Sequence, residues 1–128
     1  METININTQR KEEIIDITHL IEKKIKDQDI KQGFVYIYCP HTTAGLMINE
    51  NADPDVKDDI IMSLKNIVKE LDFRHKEGNS SAHIKSALMG KFLQVALEDN
   101  KLVLGTWDGI CFCEFDGPRN RKVYFRVS

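Results

Sequence analysis

Apolar and polar residues alternate over residues 3–8, and a second segment rich in β-forming residues covers residues 13–18. Alternation with a period of two is typical of a strand that buries one face. Because only a short polar segment separates the two, we expect them to form a hairpin. Residues 34–39 are an almost continuous β-forming run, which predicts a central strand, and residues 46–48 predict a short strand after it.

Between and after these strands, apolar residues recur at the spacing of a helix. The pattern predicts three helices, over residues 18–28, 53–71 and 81–89. Thr18 is the expected N-cap of the first helix. Asp53 is the expected N-cap of the second, and Pro54 takes its first position, where the missing N–H of proline has no intrahelical partner to lose. Gly90 is the expected stop of the third helix.

The last third of the chain returns to β-forming residues. Turn-forming residues divide it into four predicted strands, over residues 92–97, 101–104, 107–115 and 121–127. About eight strands and about three helices predict the α+β class, with mostly antiparallel β-sheets. A length of 128 residues, without a linker or an internal repeat, fits a single domain over residues 1–128.

Composition excludes several classes of protein. With 41% hydrophobic residues, 30% charged residues and a formal net charge of -2, the chain has no global attraction to nucleic acid or to an anionic membrane. No apolar run reaches the ~18–20 residues of a transmembrane helix, and the N-terminus lacks the pattern of a signal peptide. The three cysteines lie in strand-like runs and do not indicate a disulfide framework. We therefore expect a cytoplasmic protein with no nucleic-acid or membrane partner.

Three of the four histidines, His41, His75 and His83, lie in short stretches crowded with polar side chains. If the three rings converge, they have the size of a metal-ligand set or an acid–base cluster. His75 and His83 are eight residues apart, not the four that would put two rings on one helical face. Convergence therefore requires the loop between them to fold back. The other interpretation of His41 is a turn in which it and Thr42 bond to the backbone.

Polar residues also cluster where strands and helices begin or end. Asn49 and Glu50 follow an apolar strand, and Glu50 is a candidate general base, metal ligand or plain surface carboxylate. Asn79, Ser80 and Ser81 gather at the predicted N-terminus of the third helix, where free N–H groups favour an anion. We expect one of these three residues to cap the helix, and a phosphate or carboxylate bound beside the cap is a hypothesis.

The last third holds three further candidates. Trp107, between two glycines, is either a buried anchor of its turn or the wall of a ligand pocket. Cys111 and Cys113 share one face of a strand, and we interpret them as packing residues. Arg119 follows a tight turn, where a guanidinium can fork onto a phosphate or carboxylate or simply stay solvated.

Five segments, in order along nearly the whole chain, resemble the YjbQ family. They are His41-Thr-Thr-Ala-Gly45, Asn49-Glu-Asn-Ala-Asp-Pro-Asp55, Gly78-Asn-Ser-Ser-Ala-His-Ile-Lys85, Leu104-Gly-Thr-Trp-Asp-Gly-Ile110 and Glu114-Phe-Asp-Gly-Pro-Arg119. The resemblance implies a compact α+β fold assembled as a homotrimer, with sites near subunit contacts. It also implies a site built from the family's three histidines and three polar neighbours: His41, His75, His83, Glu50, Asn79 and Lys85.

The name attached to the family, secondary thiamine-phosphate synthase, implies a reaction. A pyrimidine diphosphate is joined to a thiazole phosphate and pyrophosphate is released, so the chain would be a transferase. A divalent metal, Zn or Mg, would stabilise the leaving group. The alternative is a non-catalytic binding module that captures a metal ion or a small phosphorylated ligand.

The enzyme hypothesis distributes roles over the candidate residues. The predicted catalytic residues are His41, Glu50 and His83, with His41 moving the proton because its reference pKa of ~6.5 suits neutral pH. The predicted metal ligands are His41, His75 and His83. The predicted ligand-binding residues are Thr42, Thr43, Asn49, Asn79, Ser80, Lys85, Trp107 and Arg119.

One position departs from the family pattern. The family's turn usually reads Gly-Thr-Trp-Gln, and Asp108 stands here in place of the Gln. An ionised carboxylate accepts hydrogen bonds and cannot donate one. A role that requires a donor at this position therefore does not carry over to Asp108.

Overall fold

The computed structural model describes residues 1–128, in which eight strands and three helices follow one another. In chain order they are β1 (Glu2–Asn7), β2 (Glu13–Asp16), α1 (Thr18–Gln28), β3 (Gly33–Tyr38), β4 (Ala44–Glu50), α2 (Pro54–Ile67), α3 (Ser80–Met89), β5 (Phe92–Glu98), β6 (Lys101–Leu102), β7 (Asp108–Glu114) and β8 (Asn120–Val127).

The strands form two sheets in which every pair of neighbours is antiparallel. One sheet has five strands in the order β1-β8-β3-β5-β6, and the other has three in the order β2-β7-β4. The predicted α+β class, with about eight strands and about three helices, is confirmed. None of the three helices has the length and apolarity that crossing a membrane requires. The cytoplasmic location stays a prediction.

The predicted hairpin between the first two strands is wrong. β1 pairs with β8 in the larger sheet, where Glu2 lies opposite Phe125, whereas β2 pairs with β7 in the smaller sheet. The pairing with β8 puts Ile4 and Ile6 into the core, where each is only 5% exposed. Burying such a side chain is worth about 1.5–3 kcal/mol. Burial therefore decides the partner of β1, although β2 is nearer in sequence.

The main core draws on both sheets and on α1. Val35 and Phe125 come from the larger sheet, Phe112 comes from the smaller sheet, and Ile21 and Ile25 come from α1. All five are at most 1% exposed. The alternation of buried and exposed positions along β3 and β8 follows from this arrangement, since one face of the sheet covers the core.

A smaller apolar cluster contains the two strand cysteines. Cys111 and Cys113 are free, buried thiols that pack with Ala82 of α3 and with Phe115. Burial raises the pKa of Cys111 to about 11 and raises that of Cys113 further. Thiols with such pKa values remain protonated and inert at neutral pH, so the interpretation of both cysteines as packing residues is confirmed.

The start of α2 is the one predicted from the sequence. Oδ1 of Asp53 accepts a hydrogen bond of 2.9 Å from the main-chain N–H of Asp55, and Pro54 opens the helix. The helix ends at Ile67, four residues before the predicted end at residue 71. The apolar periodicity continues past the last turn, and periodicity alone therefore placed this end too late.

The predicted N-cap of α1 is wrong. Thr18 is the first helical residue and Ile17 occupies the cap position without a side-chain hydrogen bond. The Thr18 hydroxyl donates to Asp16 Oδ1 at 2.6 Å and accepts from the main-chain N–H of Ile110 at 2.9 Å. Thr18 therefore links α1 to β7 and does not cap its own helix.

The helix α3 lies close against β4 because a glycine faces it. A Cβ added to Gly45 would come within 2.7 Å of the carbonyl oxygen of Gly90 and 3.1 Å of Met89 Cβ. That carbonyl accepts a hydrogen bond of 2.9 Å from the main-chain N–H of Leu46. Gly90 ends the helix as predicted, with a φ of 96° that favours glycine. This packing fixes α3, and with it one wall of the site described next.

Candidate functional site

A polar cleft of about 340 Å³ opens at one end of the fold. It is bounded by the β3–β4 loop, the start of α3 with the loop before it, and the β7–β8 turn with the start of β8. The residues that line this polar cleft are Pro40, His41, Thr42, Thr43, Glu77, Asn79, His83, Asp116, Arg119 and Arg121. The structure thus brings together six of the predicted site residues, His41, Thr42, Thr43, Asn79, His83 and Arg119.

A buried ion pair between Glu114 and Arg121 underlies the polar cleft. The two side chains are 0% and 5% exposed, and Arg121 Nη2 lies 2.5 Å from Glu114 Oε2. Arg121 Nε donates to both carboxylate oxygens, at 2.9 and 3.1 Å, and Nη2 also donates to Thr43 Oγ1 at 2.8 Å. Nη1 makes no hydrogen bond within the chain. Since Arg121 lines the polar cleft, Nη1 is the part of the guanidinium that is left for a ligand.

The carboxylate of Glu114 has several further partners. Thr8 Oγ1 donates to Oε1 at 2.7 Å, and the main-chain N–H groups of Phe115 and Asp116 donate to Oε2 at 3.1 and 3.2 Å. Burial by itself raises the pKa of Glu114, but the hydrogen bonds from Arg121 and Thr8 outweigh it and hold that pKa below the ordinary 4.5. Glu114 is therefore ionised at neutral pH and fixes the orientation of Arg121.

His41 is held by the backbone of β8. The main-chain N–H of Lys122 donates a hydrogen bond of 3.0 Å to His41 Nε2. Because Nε2 is the acceptor, the neutral ring carries its hydrogen on Nδ1. Burial, and then the positive charge of Arg121, lower the pKa of His41 below its ordinary value of 6.5. At neutral pH His41 is therefore an uncharged donor through Nδ1.

Asp116 joins Asn79 to Arg119 at the rim of the polar cleft. Its Oδ2 accepts from Asn79 Nδ2 at 3.0 Å and from Arg119 Nη2 at 2.9 Å, and its main-chain oxygen accepts from Arg119 Nε at 2.7 Å. Burial by itself raises the pKa of Asp116, but the hydrogen bonds from Asn79 and Arg119 bring it below the ordinary value.

Asn79 takes the N-cap position of α3, but its side chain makes no capping hydrogen bond. The predicted capping by a side chain of the Asn79–Ser81 cluster is therefore wrong, because the Asn79 amide is turned to Asp116. Asn79 Oδ1 is buried without a partner in the chain. A buried acceptor of this kind costs free energy until a donor reaches it.

His83 meets His75 but does not complete a three-histidine metal set. The loop before α3 folds back, and the two rings lie 5.5 Å apart in an edge-to-face arrangement. No group of three or more His, Cys, Asp or Glu side chains is placed to hold a metal ion, and Lys122 already occupies His41 Nε2. The residues of one chain therefore do not fit a metal site formed by the three histidines.

Glu50 and Asn49 lie at the far end of β4 from the polar cleft. Ala44 starts this strand opposite Glu114, and Glu50 ends it opposite Asp108. Six residue steps of about 3.3 Å separate the two ends by roughly 20 Å. The catalytic role of Glu50 and the binding role of Asn49 stay predictions. Within one chain, neither residue lies near the polar cleft.

The turn that contains the tryptophan is exposed. Trp107 is 64% exposed, so the interpretation of it as a buried anchor is wrong, and its role as a pocket wall stays a prediction. Asp108 Oδ2 accepts a hydrogen bond of 2.9 Å from the main-chain N–H of Gly105. The residue that departs from the family pattern therefore acts as an acceptor that closes its own turn.

Ser80 and Lys85 do not line the polar cleft. Ser80 lines a neighbouring depression that also includes His83. Lys85 is only 7% exposed on its side chain and lies in a separate cavity of about 400 Å³, here called the lysine cavity, which is lined by Lys11, Glu12, Lys65, Val68, Glu70, Ser81, Lys85 and Phe115. Residues four apart share a helical face, so Asn79 and His83 face the polar cleft and Lys85 faces away from it.

Sequence reasoning did not assign the Glu114–Arg121 pair to the site. The available signal was a charged residue at a core-facing position of each strand. Arg121 stands in alternation with buried Val123, and Glu114 with buried Phe112. A charged residue in a buried register of a strand is paired in most folded proteins, so this pattern could have indicated the ion pair.

Comparison with known proteins gives matches over the whole chain. A family model described as UPF0047 protein YjbQ-like matches residues 2–128. UPF0047 protein YugU of Bacillus subtilis is 48% identical over 130 residues, which cover 99% of this chain and 98% of the relative. UPF0047 protein MJ1081 of Methanocaldococcus jannaschii is 51% identical over 123 residues, which cover 95% and 89%.

Solved structures share the fold. An uncharacterized conserved protein of the YjbQ/UPF0047 family from Clostridium acetobutylicum superposes with a TM-score of 0.97 at 46% identity and covers all of both chains. Hypothetical protein APE1520 from Aeropyrum pernix superposes with a TM-score of 0.93 at 31% identity, over 100% of this chain and 98% of that one.

The chain is a small α+β protein in which two antiparallel sheets carry a polar cleft over a buried Glu–Arg pair. The matches agree with the five sequence segments in pointing to a single family. The chain belongs to the UPF0047 protein YjbQ-like family.

Proposed function

We propose that the chain binds a small phosphorylated ligand in the polar cleft. The observation that carries the proposal is the free Nη1 group of Arg121, on a side chain only 5% exposed. Glu114 and Thr43 engage the other nitrogens of that guanidinium, so it is oriented without being fully used. A guanidinium held in this way is a strong partner for phosphate oxygens.

Other residues of the polar cleft add complementary groups. Arg119 bonds to Asp116 through Nε and Nη2, which leaves a second Nη1 group at a half-exposed position. His41 offers its Nδ1–H, and Asn79 offers a buried Oδ1 acceptor for a hydroxyl or protonated oxygen. The lining sets these two guanidinium groups beside the carboxylates of Glu77 and Asp116, and the two free Nη1 groups are the donors proposed to contact a phosphate ester or pyrophosphate.

We further propose, on the strength of the family resemblance, that the chemistry of this cleft is thiamine-phosphate synthesis. A carbon–oxygen bond of the pyrimidine diphosphate breaks, the thiazole nitrogen bonds to that carbon, and pyrophosphate leaves with the electron pair. Arg119 and Arg121 would stabilise the charge that develops on the pyrophosphate. His41 would donate from Nδ1 to an oxygen of the leaving group, and His83 is the candidate for proton movement.

The proposed ligand and the proposed reaction are tested together. The protein is incubated with both thiamine precursors and Mg²⁺, thiamine phosphate is quantified, and pyrophosphate binding is measured by calorimetry. We expect product, and we expect Arg119→Gln to weaken pyrophosphate binding about tenfold, the loss of one charge-assisted contact. Arg126→Gln removes an exposed arginine that does not line the polar cleft, and it should change neither quantity.

The outcomes separate the two parts of the proposal. Pyrophosphate binding without product would support the non-catalytic binding module and would end the synthase assignment. Undetectable binding of pyrophosphate, or equal weakening by Arg119→Gln and Arg126→Gln, would contradict the polar cleft as the phosphate site.

Assembly as a homotrimer is also proposed, as the resemblance implies. No residue of α2 is fully buried within the chain, although Ile60 and Leu64 pack against the smaller apolar cluster. Met62 and Ile67 are 58% and 70% exposed. Phe92 on the larger sheet is 56% exposed. Large apolar side chains that are exposed on the single chain are candidates for contacts with another copy. Within one chain Glu50 lies far from the polar cleft, but in an assembly a neighbouring copy could bring its own Glu50 towards it.

A further inference from the structure

We propose that the lysine cavity is a second anion-binding site, which takes a small phosphate-bearing molecule on the side of α3 that faces away from the polar cleft. Three ammonium groups line it, those of Lys11, Lys65 and Lys85, against two carboxylates, those of Glu12 and Glu70. The formal charge of the lining is therefore +1, and the proposal does not depend on what the polar cleft binds.

Within this net charge of +1, the three ammonium groups are unevenly paired. Glu12 is shared between two ammonium groups, since its Oε2 lies 2.8 Å from Lys85 Nζ and its Oε1 lies 3.6 Å from Lys65 Nζ. Lys11 makes no ion pair within the chain, and Glu70 accepts a hydrogen bond from Ser81 instead of meeting a lysine. One carboxylate therefore faces two cations, with a third cation beside them.

Lys85 is a buried charged group in this site. Its side chain is only 7% exposed, yet its single hydrogen bond within the chain goes to Glu12. An ammonium group carries three hydrogens, and a buried charge is costly while its donors lack acceptors. A phosphate oxygen in the lysine cavity would supply the missing acceptors and would offset the excess positive charge.

The volume and the apolar lining of the lysine cavity indicate the kind of molecule that it would bind. A volume of about 400 Å³ is within the range of small-molecule sites. Val68 and Phe115, which are 8% and 2% exposed, supply an apolar patch beside the charged groups. Three ammonium groups can each meet one of the three terminal oxygens of a phosphate monoester, whereas a carboxylate has only two oxygens. The ligand class is thus a phosphate monoester that carries a small apolar group.

The test uses inorganic phosphate as the probe and methyl groups as reporters. The full-length, ¹³C-methyl-labelled protein is titrated with phosphate at constant ionic strength, with acetate as a monoanionic comparison. Val68 reports on the lysine cavity and Thr43 reports on the polar cleft. We expect saturable phosphate shifts at Val68, with weaker binding of acetate.

Two exposed lysines are then replaced, so that folding is not at risk. Lys11→Gln combined with Lys65→Gln should weaken the Val68 response to phosphate about tenfold. The matched control combines Lys23→Gln with Lys69→Gln, which removes the same charge from exposed positions outside the lysine cavity. This control should leave the affinity unchanged.

Three results would overturn the proposal. They are shifts at Thr43 without shifts at Val68, equal phosphate affinity of the Lys11/Lys65 variant and the wild type, and equal weakening by the two double variants. The first of these results would still leave the polar cleft as a phosphate site, because the two reporters separate the two sides of α3.

Discussion

The main-chain N–H of Lys122 donates a hydrogen bond of 3.0 Å to Nε2 of His41, and this contact decides what the ring can do. A nitrogen that accepts from the backbone is not available to bind a metal or to take a proton from a substrate. The strand β8 supplies this N–H group and, one residue earlier, Arg121. One strand thus sets both the tautomer of the histidine and the position of the cation in the polar cleft.

We expect nitrogen NMR of His41 to show the Nδ1–H tautomer with a pKa below 6.5. Because the folded pKa lies below the unfolded value, the unfolded chain takes up the proton first as the pH falls. Stability contributed by neutral His41 is therefore present above pH 6.5 and is lost as the pH falls from 6.5 through the folded pKa. Dominance of the Nε2–H tautomer would contradict the assignment of Lys122 as the donor.

Two isosteric variants distinguish the two nitrogens of His41. The amide of His41→Asn can replace the Nδ1–H donor, whereas the longer His41→Gln reaches the position of Nε2. We expect His41→Gln to weaken pyrophosphate binding about tenfold and His41→Asn to weaken it less, because the proposed ligand contact is made from Nδ1. The reverse order in calorimetry would place the functional nitrogen at Nε2.

Loss of the buried carboxylate should destabilise the fold strongly. We expect Glu114→Ala to lower the free energy of unfolding by about 3–5 kcal/mol, because Arg121 would be left buried without its counter-charge. Glu22→Ala, at a side chain that is 52% exposed and faces only His19, should cost less than about 1 kcal/mol. Denaturant unfolding measures both, and similar costs for the two variants would show that the buried pair is not structurally important.

Acid should unfold the protein partly through the same pair. The folded pKa of Glu114 lies below its ordinary value of 4.5, so its contribution to stability is fully present above that value and is lost as the pH falls through the folded pKa. Glu114→Gln should therefore flatten the decrease in stability below about pH 4.5. An unchanged pH profile in this variant would mean that other carboxylates control acid unfolding.

Thr8 should act on the site through Glu114. Its hydroxyl donates to Glu114 Oε1 and accepts from the main-chain N–H of Arg119 at 2.9 Å. We expect Thr8→Val to cost about 1–3 kcal/mol and to raise the pKa of Glu114, which moves acid unfolding to higher pH. Thr3→Val makes the same change at an exposed position of β1, and it should neither destabilise the protein nor raise the pKa of Glu114. Equal effects of the two variants would contradict this role.

The assembly state is measurable directly. Light scattering after gel filtration should give about 44 kDa, three times the 14.8 kDa of one chain. Ile67→Lys, at a position that is 70% exposed in the single chain, should shift the mass towards one chain if α2 forms the contact. Leu20→Lys, at an exposed position of α1, is the control. A wild-type mass of one chain would exclude the proposed trimer under those conditions.

The outcome for the predicted site residues follows from helix geometry. Segment 78–85 was recognisable in the sequence, and it forms the start of α3. Its members nevertheless separate, because Asn79 and His83 face the polar cleft while Lys85 lines the lysine cavity. Closeness in a motif therefore did not mean closeness in space. Only the helical period of 3.6 residues decides which members share a face.

The sequence by itself determined the number and kind of elements, the start of α2 at Asp53 and Pro54, and the family. These features are local, since propensity, capping and motif order act over a few residues. The partner of β1, the burial of Glu114 against Arg121 and the occupation of His41 Nε2 by Lys122 were decided by the tertiary structure alone. The first and the last join residues that are far apart in the chain, whereas Glu114 and Arg121 are seven residues apart but belong to the ends of strands in different sheets. Each contact forms because burial requires every charge and polar group to find a partner.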